Sequence, residues 1–214
     1  MGAILGGGGG TVSTADTRIG SLAISQSTYG IAIPVVFGTA RVAGNMIDYI
    51  DFTAIPHTTT TRSGGKGGGG VTSSHTTYTY EVAAIFALCE GPVEGVKRVW
   101  KNKEVHGSPT ALRMSVYTGM DNQAPWPWMA GAHPERAISY PQTCYVASPN
   151  LELSGSATVP SFNYEVAGRN IEPGKQDAAP ISIIRGILSD IQIGVGFPVQ
   201  YLADTSQFED YCRV

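Results

Sequence analysis

Two long runs of alternating apolar and polar residues dominate the first half of the chain. The first run covers residues 46–52, and the second covers residues 76–88. Successive side chains of a β-strand point to opposite faces, so strict alternation predicts a strand with one buried face. We therefore predict two long antiparallel strands that are consecutive in the chain and are joined by a connecting arm.

The segment between the two runs, residues 57–77, has a very different composition. It contains six glycines, and Val71 is its one apolar residue. A connection of this length inside a compact domain is usually functional or disordered. The stretch GGKGGGG around Lys66 lacks the spacing of a phosphate-binding loop, and it leads into a strand, whereas such a loop leads into a helix. We therefore predict a mobile arm that projects from the body of the protein.

The second run ends at the sequence CEGPVEG, residues 89–95, which is followed by a new alternating run from Val96 to Trp100. Glycine and proline break a strand, so this sequence predicts a turn. Glu90 and Glu94 flank the turn and could in principle form a catalytic pair. Glycosidase carboxylates, however, lie about 5 to 9.5 Å apart in a formed cleft. We interpret the two glutamates as carboxylates that face solvent or a partner.

Further short segments alternate in the same way and are separated by glycine and proline, which favours many strands and turns. Strands are predicted at residues 31–37, 112–117, 140–146 and 161–167, and a hairpin joins residues 96–100 to 104–106. The first clear helix comes late in the chain. Asp177 is its candidate N-cap, and Pro180 fits the first helical turn.

These patterns divide the chain into three parts. Residues 1–18 form a flexible arm rich in Gly, Ser and Thr, because such a segment cannot bury enough surface to offset its chain entropy. Residues 19–169 form a β-rich domain that carries the arm at 57–77. Residues 170–214 are expected to begin a second, small α/β domain that is incomplete in this sequence.

Composition narrows the classes of function. Only 14% of the residues are charged, against roughly 25% in soluble domains, so the surface is expected either to be rich in Ser, Thr, Gly and amides or to be covered by partners. The net charge of -3 gives no general attraction to nucleic acid or to anionic membranes. The three cysteines and four histidines are scattered, which predicts free buried thiols and no metal site. We identify no catalytic, cofactor-binding or metal-binding residues.

The order of these pieces resembles the N-terminal region of the phage tail hub, or tail tip attachment, protein family. This family includes the lambda-like tip proteins and the hub proteins of gene transfer agents. The segments that carry the resemblance are IGSLAISQSTYGIAIPVVFGTARVAGNMI, the glycine-rich arm, TYTYEVAAIFALCEGPVEGVKRVWKNKEV, LRMSVYTGMDNQAP, PSFNYEVAG and APISIIRGILSD. Members of the family are usually much longer than this sequence.

The resemblance implies a mainly β fold with a barrel-like or tube-like hub domain and a structural role, not an enzymatic one. A homotrimer would close the distal end of the tail tube of a long-tailed phage. Its partners would be the distal tail protein ring, the tape measure protein and tip or fibre proteins. The protein would lie in the virion at the distal end of the tail, and in the host cytoplasm during assembly. Nucleic acid would only pass through the tube, and no stable membrane insertion is expected.

Two sets of residues follow as candidate contact sites in such an assembly. The arm would contact an adjacent subunit or ring through Arg62, Lys66, Gly67, Gly70 and Val71. The turn would contribute Glu90, Gly91, Pro92, Glu94 and Gly95.

Two alternative functions remain open. A peptidoglycan-active tail enzyme would need two carboxylates at hydrolytic separation in a cleft. A host-receptor adhesin would need exposed aromatic patches, for which PWPWM, residues 125–129, is the candidate.

Overall fold

The computed structural model describes residues 10–25, 27–64, 70–169 and 177–212. Its strands are β1 (Thr11–Ala15), β2 (Thr39–Ala43), β3 (Asn45–Ser63), β4 (Val71–Glu90), β5 (Gly95–Lys101), β6 (Glu104–His106), β7 (Ser115–Thr118), β8 (Thr143–Ser154) and β9 (Phe162–Ala167). Its α-helices are α1 (Pro127–Ala132), α2 (Pro180–Ser189) and α3 (Ser206–Cys212), and 3-10 helices cover Pro109–Leu112, Pro134–Arg136 and Val199–Tyr201. The predicted mainly β class is confirmed.

The first sheet is built around β4. On one side β3 pairs with β4 in the antiparallel sense, from Asn45 opposite Ala87 to Ser63 opposite Val71. On the other side, β8 pairs antiparallel with the inner half of β4, and β1 pairs parallel with its outer half. Strand β7 extends this sheet beyond β8. The two long antiparallel strands predicted from the alternation are therefore present.

The second sheet has the strand order β2-β9-β5-β6, and all of its pairs are antiparallel. The predicted hairpin is confirmed as β5 and β6, which turn at Asn102 and Lys103. Side chains of Ala40, Val42, Val99 and Tyr164 point into the core from this sheet. Because successive side chains of a strand point to opposite faces, the outer face of this sheet carries Arg41 and Trp100 together with polar residues.

The core lies between the two sheets. Phe86 of β4 meets Phe162 of β9 with ring centroids 5.3 Å apart, in an edge-to-face arrangement. Both rings are fully buried, together with Val146 from the first sheet and Val166 from the second. The domain is thus two layers of sheet packed face to face.

The chain changes sheet at corners that contain glycine. β2 gives way to β3 across Gly44, and β4 leads into β5 through residues 91–94. A Cβ at Gly44 would lie 2.7 Å from Cε2 of the buried Tyr164. Glycine at this position therefore allows the backbone of one sheet to approach the side chains of the other.

No closed barrel is found among the residues that the structure describes. The first sheet ends at β3, β1 and β7, the second ends at β2 and β6, and no ladder joins these edges. The predicted barrel or tube is therefore not a feature of one copy of the chain, because each sheet keeps unpaired edge strands.

Several predicted boundaries need correction. β3 and β4 remain paired well into residues 57–77, so the connection between them shrinks to residues 64–70. Residues 31–36 form no strand, and Phe37 makes a single bridge to Arg169. The N-cap of α2 is Ala179, not Asp177, although Pro180 does occupy the first turn. Within the described part of the chain, no helix combines the length and apolar character needed to cross a bilayer.

Candidate assembly surfaces

The first candidate surface is a three-stranded ribbon, here called the arm ribbon, made of residues 57–63, residues 71–77 and β1. Its side chains are mostly polar and join across the strands. Thr58 Oγ1 lies 2.8 Å from Thr76 Oγ1, and Thr14 Oγ1 lies 3.1 Å from His75 Nδ1. His75 Nε2 also lies 3.3 Å from a carboxylate oxygen of Asp16. The ribbon is therefore held by hydrogen bonds rather than by an apolar core.

The predicted arm residues fall at the tip of this ribbon. Arg62 lies opposite Thr72, and the 46% exposed Val71 lies opposite Ser63. Gly70 follows in the connection, where an added Cβ would lie 3.1 Å from the Ser63 carbonyl oxygen. Lys66 and Gly67 lie outside the described residues. The contact role of all five residues stays a prediction.

The outer edge of β3 is an unpaired strand edge. In the part of the chain that the structure describes, β3 pairs with β4 alone. Pro56 of β3 lies opposite Tyr78 of β4 and has no N–H to donate. The backbone nitrogen at this position therefore points away from β4. In a regular antiparallel ladder the amides of alternate residues share one direction. The N–H groups of Thr58, Thr60 and Arg62 therefore point toward the free edge.

The second candidate surface is the CEGPVEG turn, which the structure shows to be a crossing between the two sheets. Its backbone is tied down from several sides. The Gly91 N–H donates to the Gln142 carbonyl at 2.6 Å, the Val93 N–H to Thr118 at 3.0 Å and the Glu94 N–H to Ala167 at 2.9 Å. The predicted turn at residues 89–95 is thus a rigid corner whose hydrogen bonds join it to three other segments, at Gln142, Thr118 and Ala167.

The two glutamates of this turn do not form a cleft. Glu90 is half-buried at the end of β4, opposite Thr143, whereas Glu94 is exposed beyond Pro92. Neither carboxylate makes a hydrogen bond or ion pair with another described residue. Both remain free to meet solvent or a partner.

Arg169 fastens the turn to the C-terminal segment, and no pattern in the sequence predicted this contact. Its guanidinium donates to the Gly91 carbonyl oxygen, and its Nη1 lies 2.9 Å from Oδ2 of Asp190, the residue after α2. The pKa of Asp190 is lowered, chiefly because the Gln192 N–H donates to its carboxylate, and Arg169 adds to the effect. An ion pair between Arg169 and Asp190 therefore connects the two sides of the domain boundary predicted near residue 170.

Cys89 and Cys144 are neighbours across β4 and β8, and both thiols are free and fully buried. A hydrogen bond between the two thiols raises the pKa of Cys144. The prediction of free buried thiols is confirmed for this pair. The side chain of Cys212 lies outside the described residues.

The PWPWM segment is part of a second apolar cluster, not an exposed lip. Trp126 is 3% exposed and Met129 is 2% exposed, and they pack on the outer face of the first sheet with Ile85 and Tyr145. His133, just beyond α1, holds this cover in place through an Nε2 contact of 2.9 Å with Asp51 of β3. The aromatic patch expected of an adhesin is therefore absent at Trp126 and Met129.

The outer face of the second sheet carries a compact group of charged and aromatic side chains. Arg98 binds Glu165 through both carboxylate oxygens, with Nη2 3.1 Å from Oε1. Trp100 has the Arg41 guanidinium 4.2 Å from its ring centroid and the Arg98 guanidinium 5.8 Å from it. The hydrogen bond from Arg98 lowers the pKa of Glu165, and the nearby Lys97 acts in the same direction.

Comparison with known proteins gives one informative likeness. No family model matches the chain, and no curated protein matches it. A solved structure, described as the virion of a native gene transfer agent particle, contains a chain that matches with a TM-score of 0.51 and 24% identity. The match covers 88% of this chain and 38% of that chain, so the present sequence spans about two fifths of that chain's length. At this identity the likeness shows a shared fold.

Replacing Gly91 by alanine should destabilise the protein. The new Cβ would lie 2.5 Å from the Gly119 Cα and 2.6 Å from the Thr118 carbonyl oxygen, which are backbone atoms that cannot move aside. We expect a loss of about 1–3 kcal/mol in the free energy of unfolding, measured by urea titration. Gly95→Ala is the matched control, because no atom lies within 4 Å of its Cβ position. Equal stability of the two variants would contradict this account of the corner.

The Arg98–Glu165 pair should make stability depend on pH in the acid range. The pKa of Glu165 is lower in the folded protein than its unfolded value of about 4.3. The bond therefore stabilises the fold above the unfolded pKa, and this stabilisation is lost as the pH falls through the folded pKa. Wild type should therefore exceed Glu165→Gln in urea midpoint at pH 6, and the difference should shrink below about pH 4. A difference that stays constant down to pH 2.5 would show that the carboxylate charge plays no part.

Proposed function

We propose that the protein is a structural component of a virion, and that it forms the hub or tip at the distal end of the tail of a long-tailed phage or a related particle. The observation that carries this proposal is the arm ribbon. It extends a polar, paired backbone beyond the core and leaves the outer edge of β3 unpaired. Edges of this kind pair readily with another chain.

Two further observations support the proposal. The fold is shared with a chain of a gene transfer agent virion, at low identity and over part of that chain. The ordered set of segments in the sequence resembles tail hub proteins, whose known arrangement is a homotrimer that meets the distal tail protein ring, the tape measure protein and tip or fibre proteins. We assign the same arrangement and the same place in the virion to this protein.

The arm ribbon would act by adding strands between copies. An open sheet can be continued by a strand of a neighbour, with backbone hydrogen bonds supplying the affinity. The regular part of the free β3 edge, residues 53–63, has eleven residues. At 3.4 Å per residue this is about 37 Å of unpaired edge. A ring of such copies would close a wall that one copy leaves open.

We propose no enzymatic role. A peptidoglycan-active enzyme would require two carboxylates in one cleft, whereas Glu90 and Glu94 lie at a corner with different exposure. Loss of lytic activity in Glu90→Gln would instead favour the enzyme.

Shortening the arm ribbon should separate folding from assembly. Replacing residues 60–74 by Asn-Gly removes the tip and closes the Thr59–His75 pair with a two-residue turn, and β1 keeps its pairs with His75 and Thr76. The core contains none of the deleted residues, so the circular dichroism spectrum and urea midpoint should change little. Particles made with this variant as the sole source of the protein should lack complete tails under the electron microscope. Normal tails would exclude a role for the tip.

A single substitution tests the free edge itself. Thr60→Pro removes an N–H that points away from β4, so the β3–β4 ladder should survive while a neighbouring strand loses a donor and meets the proline ring. We expect the yield of tailed particles to fall by about tenfold or more. Thr60→Ala is the matched control, because it removes the same hydroxyl and keeps the N–H. Equal particle yields from the two variants would show that the edge is not paired in the assembly.

A further inference from the structure

The outer face of the second sheet carries more positive charge than its own carboxylates balance. Glu165 is the one carboxylate of its immediate cluster and has a side chain only 11% exposed. Arg98 binds it directly, Arg41 lies opposite it across the β2–β9 pair, and Lys97 is close enough to act on its charge. Three cations therefore share one carboxylate.

The neighbouring hairpin leaves this balance unchanged. Lys101 and Glu104 face each other in the β5–β6 pair and lie on the other face of the sheet from Trp100 and Val105. Lys101 Nζ lies 3.4 Å from the Glu152 carbonyl oxygen. The whole chain has the opposite sign, with a net charge of -3. Positive charge is thus concentrated on this face, which would attract a negatively charged partner.

The uncharged part of this face has the composition of a protein-binding surface. Trp100 lies half-buried among the guanidinium groups of Arg41 and Arg98, and Val105, opposite Trp100 in the β5–β6 pair, is 53% exposed. Tryptophan and arginine are the residue types that contribute most to binding energy at interfaces. The Arg41 guanidinium lies over the indole ring, and among the described residues no carboxylate bonds to it.

From these observations we infer that the outer face of the second sheet, made of Arg41, Trp100, Arg98 and Val105, is a docking site for a carboxylate-bearing segment of a second polypeptide. A glutamate or aspartate of the partner would accept hydrogen bonds from the free edge of the Arg41 guanidinium, and apolar atoms beside it would cover Trp100 and Val105. Arginine suits this role because its planar fork matches the two oxygens of a carboxylate.

A protein carboxylate fits this face better than a nucleic acid does. Nucleic-acid binding needs a track of cations spaced along many phosphates, whereas this face offers a short group of cations that is interrupted by Glu165. A glutamate carries a single charge, which one unpaired arginine can balance. This inference concerns a surface separate from the arm ribbon and goes beyond the proposed place in a tail.

The test uses the purified full chain with isotope labels and a heptaglutamate peptide as the probe. Saturable shifts are expected in the NMR signals of the Trp100 indole N–H and the Arg41 Nε–H, with weaker binding as salt is raised. Arg41→Glu should weaken binding by about tenfold or more, since it replaces an attraction by a repulsion. Arg18→Glu is the matched control, because it makes the same charge change on an exposed residue near the first sheet.

Three outcomes would overturn the inference. They are the absence of shifts at Trp100 and Arg41, equal weakening by both variants, and tighter binding of an oligothymidine of similar length than of the peptide. If Arg41→Glu does not fold, Arg41→Gln replaces it, because glutamine removes the charge and retains hydrogen-bond donors. No particle is needed for this experiment, so its failure would leave the proposed virion role untouched, and failed tail assembly would leave this surface untouched.

Discussion

One continuous backbone ladder, the pairing of β3 with β4 from the core to the tip of the arm ribbon, supports the rest of the structure. Its inner half is held by apolar burial, since Phe86 and its neighbours pack against the second sheet. Its outer half has Thr, Ser and His on both faces and gains little from burial. There the ladder itself must stabilise the chain, at about 0.5–1.5 kcal/mol for each net hydrogen bond. Because an isolated two-stranded hairpin is marginal in water, the third strand, β1, has a clear physical role beside the outer half of β4.

The same ladder leaves the outer edge of β3 unpaired and with little protection against pairing with another chain. Proteins usually protect exposed edges with lysine, proline or bulges. The inner part of β3 has irregular pairing near Ile47 and Asp51, but from Thr53 to Ser63 the register is regular. Within residues 53–63, Pro56 is the only proline and Arg62 is the only lysine or arginine. A chain with 14% charged residues has little general repulsion to prevent association. The chemistry of the edge therefore suits controlled pairing with another copy.

The sequence pattern predicted the strands best where alternation reflected burial. It found β3, β4 and the β5–β6 hairpin, but it ended β3 too early and began β4 too late, because residues 57–63 and 72–77 are polar on both faces. Their many threonines favour strands and were the available signal. Residues 31–36 alternate yet form no strand, since Ile31 and Ile33 remain about half exposed. The Arg169 bridge, the Cys89–Cys144 contact and the burial of Trp126 all depend on long-range pairing, and no local pattern encodes them.

The free edge of β3 and the outer face of the second sheet would contribute differently to an assembly. Backbone pairing along β3 supplies affinity, but every strand offers the same N–H and C=O groups, so pairing alone does not select a partner or a register. Side-chain contacts must supply that selection. The group around Arg41 and Trp100 is suited to it, because a guanidinium donates hydrogen bonds to a carboxylate and repels a second cation. Arg41 lies in β2, which joins β3 across Gly44 alone. The strand that would select a partner is thus covalently adjacent to the strand that would pair with it, so the corner at Gly44 would link the two contacts.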